Sequence, residues 1–213
     1  MTRIAALFVA KNGCYFGLPD VDPWDEARDA RLYEGPYPVV AHPPCERWGR
    51  YWSGGPSVRV RRKLGDDGGC FESALLSVLR FGGVIEHPEA SHAFAAFGIP
   101  RPTRSAGWQP AEVGWKGYRR CGWVCCVEQG NYGHPARKAT WLFATGPRPP
   151  ELLWGPSVGQ RIDEGFHSTA ERQAARAAGV RPVQRLSKEE RIATPAAFRD
   201  LLISITQAAG EYL

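Results

Sequence analysis

Cys45 combines a reactive side chain with a constrained backbone. It follows Pro43 and Pro44, whose rings fix φ, and these follow the apolar run Val39-Val40-Ala41. A thiol held just past a buried strand is presented with little conformational freedom, as a nucleophile needs; packed among hydrocarbon it would instead be a small buried hydrophobe. Glu86 has a matching position, because Val84-Ile85 runs into Glu86-His87-Pro88. If the two runs are parallel neighbours, the carboxyl faces the same cleft as the thiol. There it can hydrogen-bond or protonate a ring nitrogen of a bound base, and partial burial raises its pKa toward a useful range. His42, Pro44, Arg47 and Trp48 flank the thiol and His87 flanks the acid, so these five are expected to line a substrate.

After Cys45, rings and positive charge interleave in Arg47-Trp48-Gly49-Arg50-Tyr51-Trp52 and continue in Arg59-Val60-Arg61-Arg62-Lys63. That mixture suits stacking on bases and contact with phosphates, and it equally describes a solvated loop with a few packed rings. Tyr132, His134 and Gln129 belong to a turn-rich loop, residues 129–138, that reaches toward the same cleft. Cys121, Cys125, Cys126 and His134 form a competing constellation within 14 positions. Cys125 and Cys126 are neighbours on an expected strand and point to opposite faces, so no metal is expected; a zinc-stabilised module is the alternative.

The elements that position these residues alternate. Residues 4–10 read as a buried strand, 38–42 as a second, and 84–88 as a third; their unbroken apolar character suits parallel strands covered on both faces. Residues 66–81 have helical spacing in Phe71, Leu75, Leu76 and Leu79, with acid in the first turn, and Gly82-Gly83 stops them. Between the first two strands the sequence is polar and punctuated by proline, with room for a short helix at 25–32. A short helix is expected at 90–97, irregular chain at 98–122, strands at 123–128 and 140–144, a helix from Ser168 to Ala178, and a terminal helix at 195–210. Residues 48–65 read as a mobile basic and aromatic loop, and 146–167 as extended coil. Strand, helix, strand in this order predicts one α/β domain over 1–213, Rossmann-like, with a mostly parallel sheet reduced in its N-terminal half and sites at the carboxyl ends of its strands.

The 213 residues are 43% hydrophobic, enough for a sizeable core. A net charge of +5 and a pI near 9.0 suit a polyanionic partner without identifying one. No run of about 18 apolar residues marks a membrane span, which predicts a cytoplasmic protein with no membrane partner. Six cysteines scattered through a chain of this size suggest reduced thiols.

The series AHPPC after one apolar strand, IEHP after another, and YGHPARKATWLFATG leading into a further strand resembles, in order, the motifs of DNA (cytosine-5) methyltransferases. The closest likeness is to their small phage-type relatives. The resemblance implies that Cys45 adds to carbon 6 of a pyrimidine and that Glu86 engages nitrogen 3 and the exocyclic amine. It places Arg137 or Lys138 where the family holds the base and its phosphate. It also implies S-adenosylmethionine, with Phe8 and Gly13 in the loop after the first strand, Asp22 (or its neighbours Asp20 and Asp25) at a ribose and Trp24 on an adenine. Here that loop keeps one glycine and carries Lys11, and Cys45 follows Phe8 by 37 residues, a shortened cofactor region. Another carbon donor such as a folate is therefore also expected. The expected partner is DNA or a pyrimidine nucleotide. A catalytically silent DNA-binding or decoy protein on the same scaffold is the reading from another class.

Overall fold

A computed structural model describes residues 2–54, 62–162, 164, 168–180 and 183–212. Its centre is a seven-stranded sheet of β1 (Ile4–Leu7), β2 (Val21–Trp24), β3 (Val39–Ala41), β4 (Gly83–Pro88), β5 (Gln109–Trp115), β6 (Tyr118–Glu128) and β8 (Ala139–Thr145), in the order β2-β1-β3-β4-β8-β6-β5. The first four strands in that order run parallel, while β8, β6 and β5 join by antiparallel pairing. The sheet is thus mixed, parallel from β2 to β4 and antiparallel from β4 to β5. It is compatible with a Rossmann-like fold. β7 (Ala136–Arg137) and β9 (Gln160–Arg161) form a separate two-stranded sheet.

Side chains alternate between two apolar layers, as extended backbone requires. One face carries Leu7, Ala41, Ile85, Cys126, Trp141 and Phe143 against α1 (Cys70–Phe81) and α2 (His92–Ala96). The opposite face carries Ala6, Val40, Val84, Cys125, Leu142 and Ala144 against α5 (Ala196–Gly210), which contributes Phe198, Leu202 and Ile205. α3 (Thr169–Ala177) and α4 (Lys188–Ile192) precede α5 in the chain, each opened by a serine whose hydroxyl accepts an amide of the first turn. Among the described residues no helix is long and apolar enough to cross a membrane.

The sequence reading needs correction in three places. The polar stretch before residue 25 contains β2, an edge strand, where Pro23 costs nothing because an edge has unpaired donors already. The irregular region expected at 98–122 contains β5 and the first half of β6, paired from Gln109↔Val124 to Trp115↔Tyr118. The helix expected within 25–32 is only a single 3-10 turn, Ala30–Leu32. In the basic loop, 55–61 lie outside the described residues, as do 163 and 165–167 in the extended segment, which elsewhere includes β9.

One glycine sets the spacing of two central strands. Gly83 opens β4 at φ 123°, and a Cβ there would lie 1.9 Å from the Val39 carbonyl oxygen. Close approach of β3 and β4 therefore depends on the missing side chain, which matters because these two strands carry the candidate site.

Candidate functional site

Parallel register assembles the site. Ala41 pairs with Leu7 on one side and Ile85 on the other, so His42 and Glu86, one residue further along, emerge at the same level of neighbouring strands. Both project to the α5 face, as do Val40 and Val84 two residues before them. His42 Nδ1 lies 3.0 Å from Glu86 Oε2, with side chains only 14% and 12% exposed. His42 Nε2 lies 2.9 Å from the hydroxyl of the buried Tyr15, which comes from the turn after β1. The partners assign the tautomer: Tyr15 donates to Nε2, and Nδ1–H donates to the carboxylate. Gln129, buried at the end of β6, donates through Nε2 to Glu86 Oε1 at 3.2 Å and to Thr140 Oγ1 at 2.9 Å.

Cys45 is half-buried at the start of a turn in which its carbonyl accepts from Trp48 N at 3.0 Å and Gly49 N at 2.7 Å. Burial, then the negative charge of Glu86, push the thiol above its ordinary pKa; the backbone amide of Cys45 itself and the Lys138 charge pull the other way and are outweighed. The thiol is thus protonated at neutral pH. Burial alone would raise Glu86 too, yet its bond to His42 and the charges of His42, Lys138 and His87 more than offset that and leave it below the ordinary value. The expectation of a raised Glu86 is corrected: the carboxyl is held ionised. Burial pushes Tyr15 well up, with help from the charges of Cys14 and Glu86, so it remains a phenol.

Lys138 is half-buried and its ammonium donates to the carbonyls of Ala193 at 2.9 Å and Ile192 at 3.3 Å, tying the end of α4 to the site. Burial lowers its pKa, against the opposing charges of Glu86, Cys45 and Cys14. Arg137, by contrast, is exposed on β7 and reaches the Gly159 carbonyl at 3.4 Å. Of the two basic residues expected at the base, Lys138 is the one that shares a field with Cys45 and Glu86.

Several other expected site residues are structural. His87 is fully buried, its Nδ1 2.6 Å from Ser91 Oγ and its ring edge-on to Phe71; burial lowers its pKa to about 4. It supports the chain beneath the double proline and presents nothing to a ligand. Trp48 is buried, with Nε1 donating to Asp67 Oδ2 at 2.7 Å, and the same carboxylate accepts from Gly69 N and Phe71 N at the start of α1. The ring therefore anchors the Cys45 turn to a helix instead of stacking on a base. Tyr132 accepts from Leu153 N and packs against Phe198, and His134 is buried with Nδ1 3.0 Å from Ala136 N. Pro44 is exposed beside the thiol, and Arg47 is half-buried, with its Nη1 enclosed and unbonded among the described residues.

The residues expected around S-adenosylmethionine do not form an open cradle. The Asp22 oxygens accept from Trp24 Nε1 at 2.9 Å and Arg28 Nη1 at 2.7 Å, and the Arg28 guanidinium covers the Trp24 ring at 3.9 Å. Acid and indole thus satisfy each other. Phe8 turns the chain at φ 59°, and a Cβ on Gly13 would stand 2.8 Å from the Ala10 carbonyl oxygen, so this turn is closed on itself. No cluster of three or more metal-binding side chains occurs among the described residues; Cys125 and Cys126 do face opposite layers.

Reading residues singly did not find Tyr15. Its signal is indirect, a tyrosine in a tight glycine-bounded turn directly after β1, the strand that pairs with β3. No family model matches the chain, and no curated protein matches it.

Proposed function

We propose that the protein is an enzyme that modifies a pyrimidine base, in DNA or in a nucleotide, through a transient covalent bond between Cys45 and carbon 6 of the ring. The observation that carries this reading is the pairing of His42 with Glu86 on two parallel neighbours, with Cys45 three residues past His42 and its thiol within the field of the Glu86 charge. A carboxylate has about four acceptor positions, so Glu86 bonded to His42 and Gln129 retains capacity for an amine or ring N–H of a base. Lys138 supplies positive charge against the developing charge of the adduct. A base in duplex DNA would be flipped out to reach this cleft. The one-carbon donor, S-adenosylmethionine or a folate, is left to experiment, because Asp22 and Trp24 are occupied with each other.

The test is covalent trapping with DNA or nucleotides containing 5-fluorocytosine or 5-fluorouracil, followed by intact-mass measurement. It is run with S-adenosylmethionine and separately with a methylene folate, because fluorine blocks release of the thiol only after carbon 5 has received its carbon. A mass increase equal to the base-bearing species plus the transferred group, absent in Cys45→Ala, supports the reading. No adduct with any fluoropyrimidine, while DNA still binds, leaves the catalytically silent DNA-binding scaffold. The protonated state of the thiol at rest is the observation that favours this second reading.

A further inference from the structure

Resting on that reading and going beyond it, we infer that His42 and Glu86, held in place by Tyr15, form a proton relay that carries the thiol proton of Cys45 to nitrogen 3 of the pyrimidine as the sulfur–carbon bond forms. Cys45 and Glu86 alone leave two needs unmet. A thiol must lose its proton to attack, and a carboxylate held ionised has none to give the ring. One proton, transferred between them, meets both.

The geometry supplies the carrier. His42 sits between Tyr15, 2.9 Å from Nε2, and Glu86, 3.0 Å from Nδ1, in an unbroken chain of hydrogen-bonding groups. An imidazole takes a proton on one nitrogen and releases one from the other. Tyr15 is the anchor of this chain: buried, in ring contact with His42 at 5.4 Å, and kept a phenol, it fixes the plane of the imidazole and follows its change of charge by reversing its hydroxyl. Gln129 holds the far oxygen of Glu86 and fixes the carboxylate. Tyr15 and Gln129 are positioning residues; His42 and Glu86 handle the proton.

The step balances. The S–H bond of Cys45 breaks and the proton enters the Glu86–His42 pair. The sulfur electron pair forms the bond to carbon 6, the C5=C6 pair becomes C4=C5, and for cytosine the C4=N3 pair moves onto nitrogen 3. Nitrogen 3 then takes a proton from the pair, which returns to its resting state. No oxidant, reductant or external acid enters. The charged and titratable groups around the relay are Cys14 beside Tyr15, Cys45 on the β3 turn, His87 on β4, Lys138 before β8, and Arg199 and Asp200 on α5.

Two readouts test the relay. In the first, adduct formation with 5-fluorocytosine DNA is timed for wild type, Tyr15→Phe and His42→Asn, with melting temperature as a check on folding. The relay requires the rate to fall about 10²-fold or more in His42→Asn, and several-fold with an altered pH profile in Tyr15→Phe, while DNA binding is retained. Unchanged rates, or losses that merely follow melting temperature, overturn it. The second readout needs no pyrimidine: Cys45 alkylation by iodoacetamide across pH, with the labelled peptide quantified by mass spectrometry. The relay requires the pH profile of labelling to change in His42→Asn. An unchanged profile overturns the relay even if the fluoropyrimidine traps no adduct, so failure of the relay and failure of the pyrimidine reading remain distinguishable.

Discussion

His42 and Glu86 occupy equivalent positions one residue past Ala41 and Ile85, the last residues that pair β3 with β4, and their side chains meet at 3.0 Å. Two polar groups at the rim of an apolar sheet are thereby satisfied by each other. The bond also bears on the charge state of the site, because burial pushes the Glu86 pKa up and the bond to His42 is the largest influence pulling it down.

Glu86→Gln removes that charge at nearly constant volume. The expected loss is about 1–3 kcal/mol, the usual scale for a hydrogen bond involving a buried charged group. Because the folded pKa of Glu86 is depressed, its contribution is fully present above the ordinary value of 4.5 and disappears as pH falls through the lowered folded value. Urea denaturation of both proteins across pH should therefore show a gap at pH 6–7 (about neutral) that narrows on acidification. A gap constant with pH would contradict the assignment of an ionised Glu86.

His87 gives the second acid response. It is neutral when folded, with its pKa lowered to about 4 from 6.5, so the unfolded chain binds a proton in this window that the folded chain does not. Stability then falls as pH drops from 6.5 toward 4, by about 3 kcal/mol for this shift. His87→Gln should flatten that slope when stability is followed by urea titration at several pH values. If the slope persists, another group is responsible.

Gly83→Ala tests whether the site depends on close strand approach. With φ at 123° and a backbone oxygen 1.9 Å from the new methyl group, strain and collision act together, and the expected cost is about 4 kcal/mol or more. Gly98→Ala is the control, since φ is 68° but nothing lies within 4 Å. It should cost only about 1–2 kcal/mol, the left-handed penalty alone. Comparable denaturation midpoints for the two variants would remove the argument for steric contact at Gly83.

Much of this arrangement was legible because the relevant strands are buried on both faces. Val39-Val40-Ala41 and Val84-Ile85 read as strands without help from alternation, and α1 and α5 show helical spacing of their apolar residues. Edge strands gave no such signal. In β2, Val21-Asp22-Pro23-Trp24 is half-buried throughout, and β5 carries Pro110 and Gly114, so both resemble loops until pairing is known. That Cys45 follows β3 and that Glu86 belongs to the strand after α1 was legible in the sequence, although β4 continues two residues beyond Glu86, and the partners of Trp48 and His87 were not. Their burial is set by tertiary partners, Asp67 for one and Phe71 and Ser91 for the other, that no local pattern announces.

Lys138→Met separates two functions of one side chain. Its ammonium draws the Cys45 thiol downward and also holds the carbonyls of Ile192 and Ala193. Methionine keeps much of the apolar stem but neither the charge nor the donors. The thiol should then titrate higher, and iodoacetamide should label Cys45 several-fold more slowly at any pH below its midpoint. Loss of the two hydrogen bonds should release the junction between α4 and α5, read as faster limited proteolysis near Ala193 and Thr194. Slower labelling without faster cleavage would confine Lys138 to an electrostatic role, and faster cleavage without slower labelling to a structural one. Neither effect would mean that the ammonium interacts with the site too weakly to matter.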